Sequence, residues 1–111
     1  MVSATTRALA RPSVAAMHAL VLTYGLRDVT SAEHFELHEQ LEPAFTAVSG
    51  LVSRTPLENR STGRFGSIYV FEGKGAFDRF VASELYALAY GAAVAEVTAS
   101  DFTIPNGRST R

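Results

Sequence analysis

The feature that most constrains the fold is the segment from Phe65 to Phe71, which reads FGSIYVF. β-Branched and aromatic residues dominate it and turn residues flank it on both sides, which is typical of a β-strand. Side chains alternate across a strand, so one face carries Ser67 with three aromatic rings and the other carries Ile68 and Val70. Neither face is polar enough to meet solvent, which predicts a strand that is covered on both sides.

Length and composition describe one small domain. The chain has 111 residues, 47% of them hydrophobic, and a net charge of -1. This composition predicts a globular core, and domains of this size are often stabilised by association. A nearly neutral chain has no field that attracts nucleic acid, and no apolar run approaches the ~20 residues of a membrane span, so we expect neither partner. The absence of cysteine excludes disulfides and thiolate chemistry and is compatible with a cytoplasmic protein.

The first 16 residues differ in composition from the rest of the chain. They are rich in Ala, Ser, Thr and Arg and lack acidic residues, which loosely resembles a transit peptide. We expect an unstructured arm over residues 1–16 instead, with Met17 as an alternative start, because termini are ordered only where they are tied down. The folded domain is predicted over residues 17–105, and a polar, basic tail over residues 106–111.

Periodicity and turn residues predict the order strand, helix, strand, strand, helix, strand. Pro43 lies inside the first helix, where we expect a bend, and Ser83 can start a new turn that divides the second helical region. Pro56 places the second strand at an edge or a bulge. The other strands are predicted over Met17 to Tyr24 and Ala93 to Ile104, the second strand over Leu51 to Asn59, and the helices over Thr30 to Ser49 and Ala76 to Tyr90, with Phe77, Phe80, Val81, Leu85 and Leu88 on the apolar side of the latter.

This order is that of the ferredoxin-like βαββαβ fold, an α+β fold with its helices on one face of an antiparallel sheet. The other face of such a sheet is bare in a single chain. Here both faces of the predicted central strand are apolar. The sequence therefore predicts a homodimer in which two sheets pack against each other.

Two histidines lie on the predicted buried face of the first helix. With Leu41 at the centre of that face, His34 and His38 fall within about 60° of it at ~100° per residue. Their i, i+4 spacing can hold a metal ion, but the sequence places no third ligand, and we expect no metal site. They can be hydrogen-bonded core residues. A neutral histidine in a partly apolar pocket can also accept a proton near pH 7, so both are candidate catalytic bases.

Five other residues are candidates for substrate binding. Tyr24, Tyr69 and Tyr86 can donate hydrogen bonds to a substrate carbonyl or enolate, or can simply pack with the hydroxyl at an edge. Arg54 can bind an anionic group or lie solvated at the end of a strand. Asn59 can be a polar group of the pocket or a turn residue.

The segment from Gly50 to Phe71 resembles the YdhR-type monooxygenase family, which belongs with the dimeric α/β-barrel proteins. Leu41-Glu42-Pro43 in the first helix and the strand from Gly66 to Phe71 carry the resemblance, which covers about residues 17–105. It implies a homodimer with a small-molecule pocket between each sheet and its helices, and cofactor-free oxygenation of aromatic or polyketide-like substrates. Related proteins often carry a tryptophan in the second strand, and the better-known oxygenases use an Asn and Trp pair. This chain has no tryptophan, so that set is not carried over.

The leading hypothesis is a small monooxygenase that acts on an aromatic or polyketide-like molecule without flavin, haem or metal. His38 or His34 is the expected base, with Tyr69 and Tyr24 orienting the substrate. The same base can close a ring, so a non-oxidative cyclase or isomerase is the first alternative. A ligand-binding or purely structural dimer without turnover is the second.

Overall fold

The computed structural model describes residues 16–105, so nearly all of the predicted arm and the whole predicted tail lie outside the described residues. Within that range no helix is long and apolar enough to cross a membrane. Four strands and three helices are found there, in the order β1 (Met17–Leu26), α1 (Ser31–Thr46), β2 (Leu51–Asn59), β3 (Arg64–Phe71), α2 (Lys74–Val81), α3 (Glu84–Ala89) and β4 (Val94–Ile104).

The strands form one antiparallel sheet in the order β2-β3-β1-β4. The segment from Phe65 to Phe71 falls in β3, which with β1 makes the central pair. Pro56 lies in β2 at an edge of the sheet, where a residue without an N–H group is tolerated. This is the ferredoxin-like α+β fold that the element order predicts.

The start of α1 is encoded by a capping box. The Thr30 hydroxyl accepts a hydrogen bond from the Glu33 N–H at 3.1 Å, and the Glu33 carboxylate accepts one from the Thr30 N–H at 2.8 Å. The helix ends at Thr46, three residues before the predicted end, and Gly50 makes the turn into β2 with a φ of 81°. Pro43 lies inside the helix without ending it, and the bend expected there stays a prediction.

Ser83 divides the second helical region, as predicted. Its hydroxyl accepts from the Tyr86 N–H at 3.2 Å and donates to the Phe80 carbonyl at 2.6 Å, which ends one turn and starts the next. The break changes which residues face the core. Tyr90 is buried, whereas Leu88, which was predicted on the apolar side, is 61% exposed. That assignment of Leu88 is wrong because α3 turns this side chain away from the core and toward solvent.

The two faces of the sheet differ in what covers them. The helices pack on one face, where Tyr24, Tyr69 and Phe71 are almost completely buried. The opposite face is bare in the single chain: Ile68 and Val70 are half-buried, and the ring of Phe102 is 56% exposed. The bare apolar face expected from the sequence is therefore present.

The outer strand β4 is interrupted by a bulge. Thr23 pairs with Thr98 but Gly25 pairs with Ala95, so β4 carries one extra residue opposite Tyr24. Glu96 lies in this bulge and has a φ of 54°. Its carbonyl accepts a hydrogen bond from Arg64 at 3.1 Å, which ties the bulge to the sheet.

Candidate functional site

A group of polar side chains lies in the otherwise apolar layer between α1 and the sheet. All six of its members are connected through hydrogen bonds or ring contacts, and each of the elements packed here contributes to it. We call this group the polar cluster. It consists of Tyr24 from β1, His34 and His38 from α1, Arg54 from β2, Tyr69 from β3 and Tyr90 at the end of α3.

Tyr24 and His34 form a buried hydrogen-bonded pair. The Tyr24 hydroxyl lies 3.0 Å from Nε2 of His34, and the two residues are 1% and 6% exposed. Burial, assisted by Tyr90, raises the pKa of Tyr24, whereas burial and then Arg54 lower the pKa of His34. Near pH 7 the tyrosine therefore keeps its proton and the imidazole is neutral, so the pair can relay a proton through the hydroxyl to His34.

His38 lies next to His34, with ring centroids 4.3 Å apart. Nη2 of Arg54 donates a hydrogen bond to its Nδ1 at 3.2 Å. Burial, then His34 and Arg54, lower the pKa of His38 to about 4, against a smaller opposing effect of the Ala89 backbone. Because a guanidinium can only donate, Nδ1 is the acceptor and the neutral ring carries its proton on Nε2.

Nε2 of His38 is buried, and apart from a contact with the backbone of Ala89 it has no hydrogen-bond partner within residues 16–105. A buried polar group without a partner costs free energy, so such a group calls for an explanation. Because its proton lies on Nε2, His38 presents a donor rather than an acceptor to the interior. This geometry favours a role for His38 in stabilising negative charge.

Arg54 connects the cluster to the surface of the protein. Its side chain is 12% exposed, and its guanidinium lies 4.1 Å from the centroid of the Phe45 ring. Nε donates to the hydroxyl of Tyr69 at 3.3 Å, and Nη1 donates to the carboxylate of Glu42 at 3.2 Å. One cation thus binds two cluster members and an acidic side chain of α1.

Tyr69 and Tyr90 complete the cluster through a hydrogen bond between their hydroxyl groups. Burial, then Tyr90, raises the pKa of Tyr69, which keeps its hydroxyl protonated near neutral pH. The cluster therefore combines a neutral proton acceptor at His34 with donors at His38, Arg54 and Tyr69. In a site of low dielectric, such an arrangement can take a proton from a substrate and stabilise the resulting anion.

Four main cavities of about 300 to 500 Å³ lie within residues 16–105. None of these four is lined by His34, which is buried, or by His38, which is half-buried. One cavity of about 350 Å³ reaches the cluster at Arg54. We call it the edge cavity, and it is lined by Glu42, Phe45, Thr46, Leu51, Val52, Ser53 and Arg54.

Comparison with models of protein families shows the family of this chain. The family model described as "Putative mono-oxygenase ydhR" matches residues 20–110. The chain belongs to this family. The resemblance to YdhR-type proteins that the sequence suggested is thereby confirmed, although no curated protein sequence matches the chain.

Solved structures share the fold of this ydhR-family chain. SnoaB, a cofactor-independent oxygenase from Streptomyces nogalater, aligns with a TM-score of 0.68 at 23% identity, over 86% of this chain and 97% of that one. A conserved protein from Methanosarcina mazei Go1 aligns at 0.63 and 12% identity, over 82% and 94% of the two chains. Rv0793 from Mycobacterium tuberculosis aligns at 0.62 and 19%, over 78% and 92%. At these identities the likeness establishes the fold alone.

The ydhR fold brings most of the predicted site residues together and leaves two apart. Tyr86 packs its ring against Tyr90 and Phe80, with centroids 5.4 Å away in each case, and contributes to the layer as a packing residue. Asn59 is the last residue of β2, and its side-chain oxygen accepts hydrogen bonds from Ser61 and Thr62 in the turn that follows. Within residues 16–105, no three His, Asp or Glu side chains gather as metal ligands.

Sequence reasoning missed Tyr90 and Glu42 as parts of the site. Tyr90 follows Tyr86 by four residues, a spacing that places both on one side of a helix, and this spacing is the signal that could have identified it. Glu42 lies beside Pro43 on the outer part of α1, and its partner Arg54 is remote in sequence. No local pattern pairs those two residues.

Proposed function

We propose that this ydhR-family protein is a cofactor-independent monooxygenase of small aromatic or polyketide-like molecules. The observation that carries the proposal is the buried Tyr24–His34 pair, which lies beside the buried Nε2–H group of His38. A polar group of this kind costs stability in a core, so its presence in a small domain favours a chemical role. Family membership and the shared fold with the oxygenase SnoaB support the same activity.

The proposed reaction begins with a proton transfer. A substrate with an acidic CH₂ or phenol group gives its proton to Tyr24, whose own proton passes to His34. The His38 N–H and the Tyr69 hydroxyl then stabilise the anion by hydrogen bonds. In this proposal the substrate approaches from the edge cavity, since Arg54 joins that cavity to the cluster.

The substrate anion supplies the electrons that oxygen needs. One electron passes to O₂, and the two radicals combine to a peroxide at the former CH₂ carbon. The peroxide takes up one proton, its O–O bond breaks, and water leaves as the carbon loses its second hydrogen. The sum is a CH₂ group and O₂ giving a C=O group and H₂O, so the substrate itself is the reductant.

Oxygen uptake tests this function directly. With a panel of quinols and anthrones and no added cofactor, we expect one O₂ consumed per substrate and one oxygen atom of ¹⁸O₂ in the product. His34→Gln should lower the rate about 100-fold, because general base catalysis is worth at least that much. The matched control is His18→Gln, since His18 is buried on the same sheet face but bonds Asp101 at 2.7 Å, away from the cluster.

Other outcomes separate the alternative functions. Turnover of the panel under argon would refute the oxygenase and favour a cyclase or isomerase that uses the same base. Binding without any turnover would favour a ligand-binding dimer. A rate that is equally reduced by His18→Gln and His34→Gln would show that the assignment of the base is wrong.

We also propose a homodimer formed through the bare face of the sheet. The apolar side chains of Ile68, Val70 and Phe102 on that face support it, because an exposed apolar patch of this kind is typical of an interface. Sedimentation at micromolar concentration should give twice the chain mass, and Phe102→Asp should shift it toward the monomer. A wild-type monomer under these conditions would refute the dimer.

We propose the cytoplasm as the location of the protein. The cysteine-free composition supports this placement, since the chain needs no oxidising compartment to fold. Fractionation of cells that express the full-length chain tests it, and recovery in a membrane or organelle fraction would contradict it.

A further inference from the structure

We propose that Arg54 and the edge cavity form a binding site for the carboxylate of a small aromatic acid, and that Glu42 holds the position this carboxylate would take. The inference rests on the proposed function only in treating that acid as the substrate. It adds a substrate class, since a neutral aromatic molecule would not use such a site. Binding can be measured without turnover, so the two proposals can fail separately.

The charges of Arg54 and Glu42 lie in unequal environments. Arg54 is largely buried, whereas the side chain of Glu42 is 59% exposed and contacts it through one oxygen at 3.2 Å. An exposed carboxylate on a flexible side chain contributes little to such a pair. A guanidinium can bind a carboxylate through two parallel hydrogen bonds, so a ligand carboxylate can replace Glu42 with a stronger contact.

The size and lining of the edge cavity also support a site for a small aromatic acid. Its volume of about 350 Å³ lies within the range of small-molecule sites. Apart from Arg54 and Glu42 its walls include Phe45, Leu51 and Val52, which are apolar. The Phe45 ring lies against the guanidinium, with 4.1 Å from its centroid to the central carbon. Thr46 and Ser53 add polar groups to the wall. One cation beside apolar side chains and an aromatic ring matches a ligand with one anionic group and an aromatic body.

An irregular part of strand β2 borders the edge cavity. Leu51 pairs with Phe71 and Ser53 pairs with Val70, so Val52 is an extra residue in β2. Bulges of this kind are frequent beside binding sites, because they redirect side chains and end regular pairing. Leu51, Val52 and Ser53 all line the cavity. The wall is thus formed by the irregular part of an edge strand rather than by a closed ladder.

Arg54 links this site to the polar cluster. Besides Glu42, Arg54 donates hydrogen bonds to Nδ1 of His38 and to the hydroxyl of Tyr69. The same side chain that would bind the carboxylate therefore holds the tautomer of His38. An anchored acid would lie next to the groups proposed to act on it.

The test compares 2-naphthoate with the neutral 2-naphthamide by calorimetry under argon at pH 7.5. We expect the carboxylate to bind wild-type protein at least tenfold more tightly than the amide. Arg54→Gln should weaken 2-naphthoate about tenfold, since charge-assisted hydrogen bonds are lost. Glu42→Gln should tighten it about threefold, because a competing carboxylate is removed.

A second arginine–glutamate pair on the same hairpin provides matched controls. Arg60 and Glu58 lie 3.4 Å apart, with side chains that are 67% and 48% exposed. Arg60→Gln and Glu58→Gln change the net charge in the same way as the test variants. We expect both to leave the affinity for 2-naphthoate unchanged.

The inference is overturned if the amide binds as tightly as the carboxylate, or if Glu42→Gln leaves the affinity unchanged or weakens it. The Glu42 variant also decides the matter if Arg54→Gln fails to fold, because the glutamate side chain is mostly exposed. Tight carboxylate binding without oxygen uptake would refute the proposed function alone. Oxygen uptake with neutral substrates, together with no binding of 2-naphthoate, would refute this inference alone.

Discussion

The two ends of the layer between the helices and the sheet differ in chemistry. Under α2 the layer consists mainly of phenylalanine rings, with Phe80 packed against Phe71 at 5.4 Å and Phe77 against Phe71 at 6.1 Å, and the buried His18 lies beside Phe77. Under α1 the same sheet face carries the polar cluster, centred on His38 and Arg54. Burial of rings stabilises a small domain, whereas buried polar groups must recover their lost hydration. The comparison shows that the fold can be stabilised at one end and adapted to chemistry at the other.

The largest expected effect is at the phenylalanine end. Phe80 is 2% exposed, so Phe80→Ala should lower the free energy of unfolding by about 4 kcal/mol through lost burial and the resulting cavity. Urea unfolding at pH 7.5 measures this, with Leu88→Ala as the exposed control. A loss below about 1.5 kcal/mol would mean that this end does not hold the domain together.

A smaller loss of stability is expected when the pH is lowered, and it arises at the end of the layer that holds the polar cluster. The pKa of His38 is about 4 in the folded chain against an ordinary value of 6.5, so between these values the unfolded chain binds the proton that the folded chain excludes. The free energy of unfolding should therefore be highest above pH 6.5 and fall by about 2 kcal/mol toward pH 4. This loss is smaller than the whole pKa shift implies, because solvent screens part of the effect. The lowered pKa of His34 acts in the same direction.

The measurement is the free energy of unfolding in urea across this pH range. His38→Gln removes the titrating group, so its stability should depend less steeply on pH. An equally steep decline in the variant would assign the acid sensitivity to other groups.

The smallest expected effect concerns the hydrogen bond between the Tyr69 and Tyr90 hydroxyls. Tyr90→Phe removes one partner but leaves Tyr69 bonded to Arg54, so a loss of about 1 kcal/mol is expected. Tyr86→Phe is the control, because that residue contributes its ring to packing. Equal losses in the two variants, measured by urea unfolding, would show that the hydroxyl pair contributes nothing specific.

Most of the fold could be predicted because its signals are local. Thr30 and Glu33 form the capping box that starts α1, Ser83 starts a new turn, and Pro56 requires an edge position. The bounds of β2 agree with the prediction from Leu51 to Asn59. These features depend on residues a few positions apart, which a sequence displays directly.

The site could be predicted only in part, because much of it depends on register. Helical periodicity was enough to place His34 and His38 on the inner face of α1. The contact of Arg54 with His38 joins residues 16 positions apart on different elements, and the extra residue at Val52 breaks the alternation that would otherwise place Leu51 opposite to Arg54. The burial of the Tyr90 side chain depends on the helical phase of α3. Such long-range relations are fixed by packing and leave no local pattern.

The bulge at Glu96 has a consequence for how copies of this chain meet. β4 is one of the two edge strands of the sheet, and an edge strand exposes unpaired N–H and C=O groups to which further strands can add. With a φ of 54° at Glu96 and its carbonyl held by Arg64, part of this edge is unsuitable for continuous pairing. The bulge therefore disfavours the pairing of further strands along this edge, while the apolar face of the sheet stays exposed in the single chain.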